Sequence, residues 1–208
     1  MGWIRIDRVS WAERALWVAL VAAAIAPVAL MPGAEEVALA YVAAVDQGDV
    51  QAALALTAEQ FFLNPDLDRP FYGKAQARGV LEWRAALRER WRVVSWRYNP
   101  LQREVHTVVE ISNDAWEILD IRPVVEVVFV VRNGELIVEQ ARIESRELRR
   151  ALEPFLEWAA AERPAELDRA WGEMAPRWDS ASARRLLALL GEWREARGVA
   201  EQPSRGQG

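Results

Sequence analysis

The sequence predicts an α+β protein, and three observations carry that reading. Apolar residues recur at helical spacing between Ala34 and Arg90, segments rich in Val, Ile and aromatic residues fill Trp91 to Glu144, and helical spacing returns after Glu144. The sheet centres on Pro123–Glu144, PVVEVVFVVRNGELIVEQARIE, where Asn133-Gly134 supplies the positive backbone angles of a tight hairpin. Val124 to Val131 holds one charge, Glu126, so neither face reads as solvent-washed. A layer or a second subunit is expected on each side of it.

Taken in order, the chain opens on a candidate membrane segment. Ala15 to Met31 is 17 residues without a charge. As a helix it spans about 26 Å, a little short of a hydrocarbon core of about 30 Å. Arg5, Arg8 and Arg14 precede it, and Glu35 and Glu36 follow it. The positive-inside bias therefore predicts a single-pass anchor in the cell membrane, running through Ala15, Leu20, Ile25 and Leu30, with a cytoplasmic tail and an extracytoplasmic folded part. A cleaved signal peptide, and hence secretion, is the rival. Ala24-Ile25-Ala26 has the small-x-small form, but Pro27 follows it directly and obstructs cleavage, so the uncleaved anchor fits better.

Ala34 to Gln47 is an amphipathic helix with Val37, Ala40, Tyr41, Ala44 and Val45 on one face, stopped by Gly48-Asp49. Asp49 caps a second helix expected from Val50 to about Phe62. Asn64-Pro65-Asp66 and Asp68-Arg69-Pro70 form a turn-rich loop, and Lys74 to Arg90 reads as a third helix with Gly79 as its weak point. Trp91–Tyr98 and Glu104–Ser112 are strands, and the hairpin supplies two more. Between them Asn113 or Asp114 caps a short helix, although a fifth strand fits the same residues. Ser145 starts a helix that Pro154 kinks or restarts, Pro164 opens a short one, and Ser180 caps the last, with Leu186, Leu187, Leu189, Leu190 and Trp193 on a stripe and Gly198 beyond its end. The expected domains are 1–33 (tail and anchor), 34–144 (the α+β domain), 145–198 (a C-terminal helical extension) and 199–208 (a loose tail).

Composition excludes several function classes. There is no cysteine, which removes disulfides and thiolate metal sites. The net charge is −5 and no basic stripe exists, so nucleic acid is not an expected partner. The 11 tryptophans, spread from Trp3 to Trp193, fit core, interface and membrane-edge packing better than an aromatic ligand cage.

The order helix, helix, loop, helix, then antiparallel strands resembles the nuclear transport factor two-like superfamily, which includes ketosteroid isomerases and SnoaL-like polyketide cyclases. The residues that carry it are Tyr41-Val42-Ala43-Ala44-Val45-Asp46-Gln47-Gly48-Asp49, then Leu54 to Leu56, Asn64-Pro65 and Asn133-Gly134. The resemblance spans about Ala34 to Glu144. It implies a cone-shaped curved antiparallel sheet packed on the N-terminal helices, a pocket inside the cone, and a homodimer through the sheet. The cone is expected either to take a small apolar ligand or to be filled by its own side chains, with Tyr41, Asn64, Trp83, Val127 and Phe129 as pocket candidates.

The same resemblance argues against the isomerase chemistry. Those enzymes use an Asp base with an oxyanion hole of Tyr and a protonated Asp. The Tyr matches Tyr41, but the base falls on Asn64 and the protonated Asp about on Val127. Asn takes no proton at neutral pH, and Glu126 faces the other way on strand alternation. The expectation is therefore a non-catalytic ligand-binding or protein-interaction module without catalytic residue, cofactor or metal. The alternative is an isomerase, cyclase or hydrolase with a rearranged pair, Asp66 or Asp68 with Tyr41. His106, the only histidine, shares a strand face with Glu104 and Glu110 and lacks a second ligand at metal spacing. Arg97, Glu139 and Arg142 read as cross-strand charge pairs.

Overall fold

The first helix begins at Ala34 and packs its apolar stripe inward. The computed structural model describes residues 33–64, 70–142, 145–171 and 177–200, and the elements below belong to the unit Ala34–Gly208. The anchor expected over Ala15 to Met31 lies outside the described residues. Among those described, no helix is long and apolar enough to cross a membrane. Helix α1 (Ala34–Asp46) buries Val37, Ala38, Tyr41, Val42, Ala44 and Val45. Gly48, at φ 69°, turns the chain, and Asp49 caps α2 (Val50–Ala55) by accepting from the Ala52 amide at 2.9 Å.

The second helix is much shorter than its expected end at Phe62. Thr57–Asn64 is a strand, β1, with Phe61 and Leu63 fully buried and Phe62 and Asn64 half-buried. Thr57 and the Phe61-Phe62 pair suit a pleated surface, and pairing beside the second strand of the hairpin outweighs the helical preference of Ala58, Glu59 and Gln60. β2 (Phe71–Tyr72) and α3 (Lys74–Ala86) follow. Then come β3 (Arg90–Asn99), β4 (Glu104–Ser112), α4 (Asp114–Leu119), β5 (Val124–Arg132) and β6 (Glu135–Arg142). The Asn113 side chain caps α4 by accepting from the Trp116 amide at 2.8 Å, so the bridge between β4 and β5 is helical.

The sheet has six strands in the order β2-β1-β6-β5-β4-β3. The β5–β6 hairpin thus occupies its middle, turning at Asn133 (φ 54°) and Gly134 (φ 78°). The sheet is mixed rather than wholly antiparallel, because β1 runs parallel to β6. The long connection that a parallel pair requires runs through β2, α3, β3, β4, α4 and β5. Helices α1 and α3 cover the inner face, where Val125, Val127, Phe129 and Leu136 are sealed. The outer face is only partly covered among the described residues: Val124 is 61% exposed, contrary to the double burial its apolar run suggests.

Three further helices, α5 (Ser145–Glu162), α6 (Pro164–Ala170) and α7 (Ser180–Ala200), build a second core. α5 runs through Pro154. Asp179, not Ser180, caps α7 by accepting from the Ser182 amide at 2.7 Å, and α7 continues past Gly198, which was expected to end it. Its stripe of Leu186, Leu189, Leu190 and Trp193 joins Leu152, Phe155, Trp83 and Leu87. The stripe packs on α3 and α4, not on the strands. α3 therefore faces two cores, with Val80 and Leu81 toward the sheet and Trp83 and Leu87 toward the C-terminal helices.

Gly79 marks where those layers close up. A Cβ built there lies 2.5 Å from the Trp178 carbonyl oxygen, so the glycine is a close approach and not a weak point of α3. Gly79→Ala is expected to lower stability by about 1–3 kcal/mol through overpacking, outweighing its gain in helix propensity. Urea unfolding reads this directly, and a stabilised variant would show that the Trp178 backbone yields freely.

Candidate functional site

A chain of polar groups runs through the centre of the inner face, where the sequence promises only valine and phenylalanine. Tyr41 projects from the middle of α1 with its ring edge-on to Phe61 and Phe129, at centroid distances of 6.1 and 5.8 Å. Its hydroxyl donates to Glu139 Oε2 at 2.5 Å. Glu139 Oε1 accepts from Arg84 Nη2 at 2.8 Å. Arg84 Nε lies 3.4 Å from Glu89 Oε1, and the guanidinium stacks over the Trp91 ring at 5.0 Å. Glu89 also accepts from Trp91 Nε1 at 2.7 Å and Asn113 Nδ2 at 3.3 Å. One cation thus lies between two carboxylates, with a phenol capping one end.

None of this reaches water. Tyr41 and Glu139 are 0% exposed, and Arg84 and Glu89 are each 6% exposed. Burial, with the Glu139 carboxylate beside it, holds the Tyr41 phenol well above its usual pKa, so it is a committed donor and no base. Burial works to lower the pKa of Arg84, but Glu139 and then Glu89 outweigh it and push the guanidinium upward. Burial raises Glu89, with the Arg84 charge and the Trp91 and Asn113 donors offsetting part of the effect. Three buried side-chain atoms, Arg84 Nη1, Trp83 Nε1 and Thr107 Oγ1, have no hydrogen-bond partner among the described residues.

Glu89 makes the fold sensitive to pH in a direction opposite to that of a salt-bridged surface carboxylate. Its folded pKa is raised, so its contribution is fully present below the ordinary value of 4.5 and is lost as pH rises through the folded value. The stability of Glu89→Gln relative to wild type is therefore expected to improve from about pH 4.5 toward neutrality. Urea unfolding of both proteins across that range checks it, and a pH-independent difference contradicts it.

The residues singled out in the sequence divide among different places. Tyr41, Val127 and Phe129 share the inner face; Phe129 pairs with Val105 and Glu139, and Val127 with Thr107 and Ala141. Asn64 pairs with Gln140 one position beyond Leu63 and Glu139, which puts it on the outer face, away from Tyr41. Trp83 turns to the second core, 4.8 Å from the Trp178 ring, and its neighbour Arg84 is the α3 residue that meets the Glu139 carboxylate bonded to Tyr41. Asp66 and Asp68 lie outside the described residues. Glu139 is not a surface cross-strand partner, as its pattern suggests, but the carboxylate at the centre of the core. Arg97 pairs instead with Glu126 at 3.9 Å on the outer face, where His106 contacts Glu104 and Glu126 at 3.1 and 3.2 Å. An open groove of about 720 Å³ is lined by Pro70, Phe71, Tyr72, Gln76, Gly79 and Trp178, none of them a residue singled out for the cone pocket.

No protein-family model matches the sequence, and no curated protein matches it. Solved structures with a similar backbone include a nuclear transport factor two-like protein of unknown function from Cytophaga hutchinsonii, at 14% identity and TM-score 0.46 over 55% of this chain and 93% of that one. A candidate polyketide cyclase from Xanthomonas campestris pv. campestris matches at 23% identity and TM-score 0.47, over 55% and 93%. SalBIII, an epoxide hydrolase/cyclase-like enzyme of pyran ring formation in the polyether salinomycin, matches at 16% identity and TM-score 0.49, over 54% and 92%. At such identities the likeness is one of fold and carries no chemistry to this chain.

Proposed function

We propose that the chain is a non-catalytic interaction module of nuclear transport factor two-like form, held at the outer side of a membrane through residues 15–31. What supports the non-catalytic reading is the filled centre of the cone. A general acid or base must reach substrate within hydrogen-bond distance, whereas the Tyr41 hydroxyl is spent on Glu139, and Glu139 is spent on Tyr41 and Arg84. What supports the tether is the uncharged run Ala15 to Met31. In this reading partners meet the outside of the sheet, where a second copy packs on its partly exposed valines.

Native mass spectrometry of the full chain, released from detergent after purification from cells, tests both halves. The expected species is a dimer without a retained small molecule, recovered from the membrane fraction. A small apolar ligand present in wild type and absent from Tyr41→Ala overturns the filled cone, and recovery in the soluble fraction overturns the tether. A second reading has one observation in its favour: a phenol 2.5 Å from a carboxylate is an acid–base pair that lacks only access. An isomerase, cyclase or hydrolase built on Tyr41 and Glu139 requires that this pair open to solvent. Solvent-exchange protection of the Tyr41 region throughout catalytic assay conditions would sink it.

A further inference from the structure

Among the described residues, the β3 edge of the sheet leaves a group of large apolar side chains in water. β3 is an outermost strand, and on it Val94 is 54% exposed, Trp96 45% and Tyr98 36%, while Leu101 in the following turn is 95% exposed. Trp96 and Tyr98 lie opposite Thr107 and Val105, which are sealed, so the two rings share the inner face but stand at its uncovered rim. The turn is pinned: Asn99 Oδ1 accepts from the Leu101 amide at 3.2 Å, holding an aliphatic side chain outward where a polar one would be expected.

Charge is distributed around this patch in the same sense. The hairpin from Arg90 to Ser112 contains Arg90, Arg92, Arg97 and Arg103 against Glu104 and Glu110, an excess of two positive charges on a chain whose total is −5. The Arg92 and Arg97 side chains are 73% and 75% exposed even with Glu110 and Glu126 beside them. Trp, Tyr and Leu at an edge flanked by arginine is the composition that settles into a bilayer interface, where rings sit at headgroup level and guanidinium groups meet phosphate.

We propose that the β3–β4 hairpin tip, with Leu101, Trp96 and Tyr98, inserts into the interface of an anionic lipid bilayer, a contact that rests on the membrane-tether reading and gives the tethered domain a fixed orientation. A second copy is the poorer occupant. Edge-to-edge pairing brings two positively charged hairpins together, and the bulge between Val93 and Ser95 interrupts the row of backbone groups such pairing needs.

The absence of native cysteine makes the test clean. Full-length Leu101→Cys, labelled with an environment-sensitive fluorophore, is reconstituted into phosphatidylcholine vesicles with or without phosphatidylglycerol. Glu157→Cys on exposed α5 is the control. The expected result is a blue shift and quenching by spin-labelled lipid at position 101 alone, stronger with phosphatidylglycerol and weakened by salt or by Arg97→Glu with Arg103→Glu. A chain that joins the vesicles while the label at 101 stays aqueous overturns the hairpin contact and leaves the tether standing. A chain that does not join the vesicles removes both. A blue shift in lipid-free solution that grows with protein concentration gives the patch to a second copy and also overturns the proposal.

Discussion

Replacing Arg84 with methionine is expected to lower stability by about 3–5 kcal/mol, because it strands two carboxylates in a sealed core. Glu139 would keep only the Tyr41 hydroxyl, and Glu89 only Trp91 Nε1 and Asn113 Nδ2. The loss is not the worth of the salt bridge itself. Much of it is the desolvation of charge left behind, so the triple variant Arg84→Met, Glu89→Gln, Glu139→Gln should recover most of what the single variant loses. Lysine at position 84 should not rescue, since one ammonium cannot reproduce the separate Nη2 and Nε contacts made to two carboxylates. Urea unfolding of the three variants decides the matter. An additive triple variant, worse than the single, would mean that the network is a source of stability and not a compensated burden.

Phe129→Ala is expected to cost about 3–5 kcal/mol through cavity formation. Phe129 is fully buried, pairs with Val105 and Glu139 across the sheet, and presents its ring to the Tyr41 edge. The void would open beside a carboxylate and a phenol, so unlike an all-apolar cavity it should take up water. Two readouts follow. The unfolding midpoint falls, and the Tyr41 phenol, relieved of part of its desolvation, ionises at lower pH than in wild type. A destabilised variant whose phenol titration is unchanged would show that the core collapses around the gap instead.

How far these features could be read in advance differs by residue. The hairpin was legible because Asn133-Gly134 specifies its turn chemistry locally, and the same holds for Gly48-Asp49 and for Asn113 at their caps. β1 was not, since its first six residues, Thr57 to Phe62, fit the end of a helix and a strand about equally well, and only the place of β1 beside β6 decides. Glu139 was hidden by one residue of register. From the turn outward Arg132 pairs with Glu135 and Val131 with Leu136, which carried on would set Glu139 opposite Val128. A bulge intervenes, Val130 pairs with Val138, and Glu139 lands opposite Phe129 on the inner face. Alternation counted from the turn thus sends the carboxylate to the wrong side, because a bulge flips every side chain beyond it. Arg84 was hidden differently. On α3 it follows Trp83, and an arginine next to an apolar stripe reads as a solvated flank unless its buried partner is known.

That adjacency of Trp83 and Arg84 has a consequence for where the chain can be divided. The two side chains leave one helix in different directions, Trp83 among the C-terminal helices and Arg84 into the ion network. A fragment ending at residue 144 would be complete as a sheet with its covering helices, yet it would turn Trp83 and Leu87 out into water on the very helix that holds Arg84 in place. The seam between the two halves therefore runs along the inside of a helix, not through a linker: the guanidinium's partners all lie before residue 144, but the helix that carries it is braced from the other side.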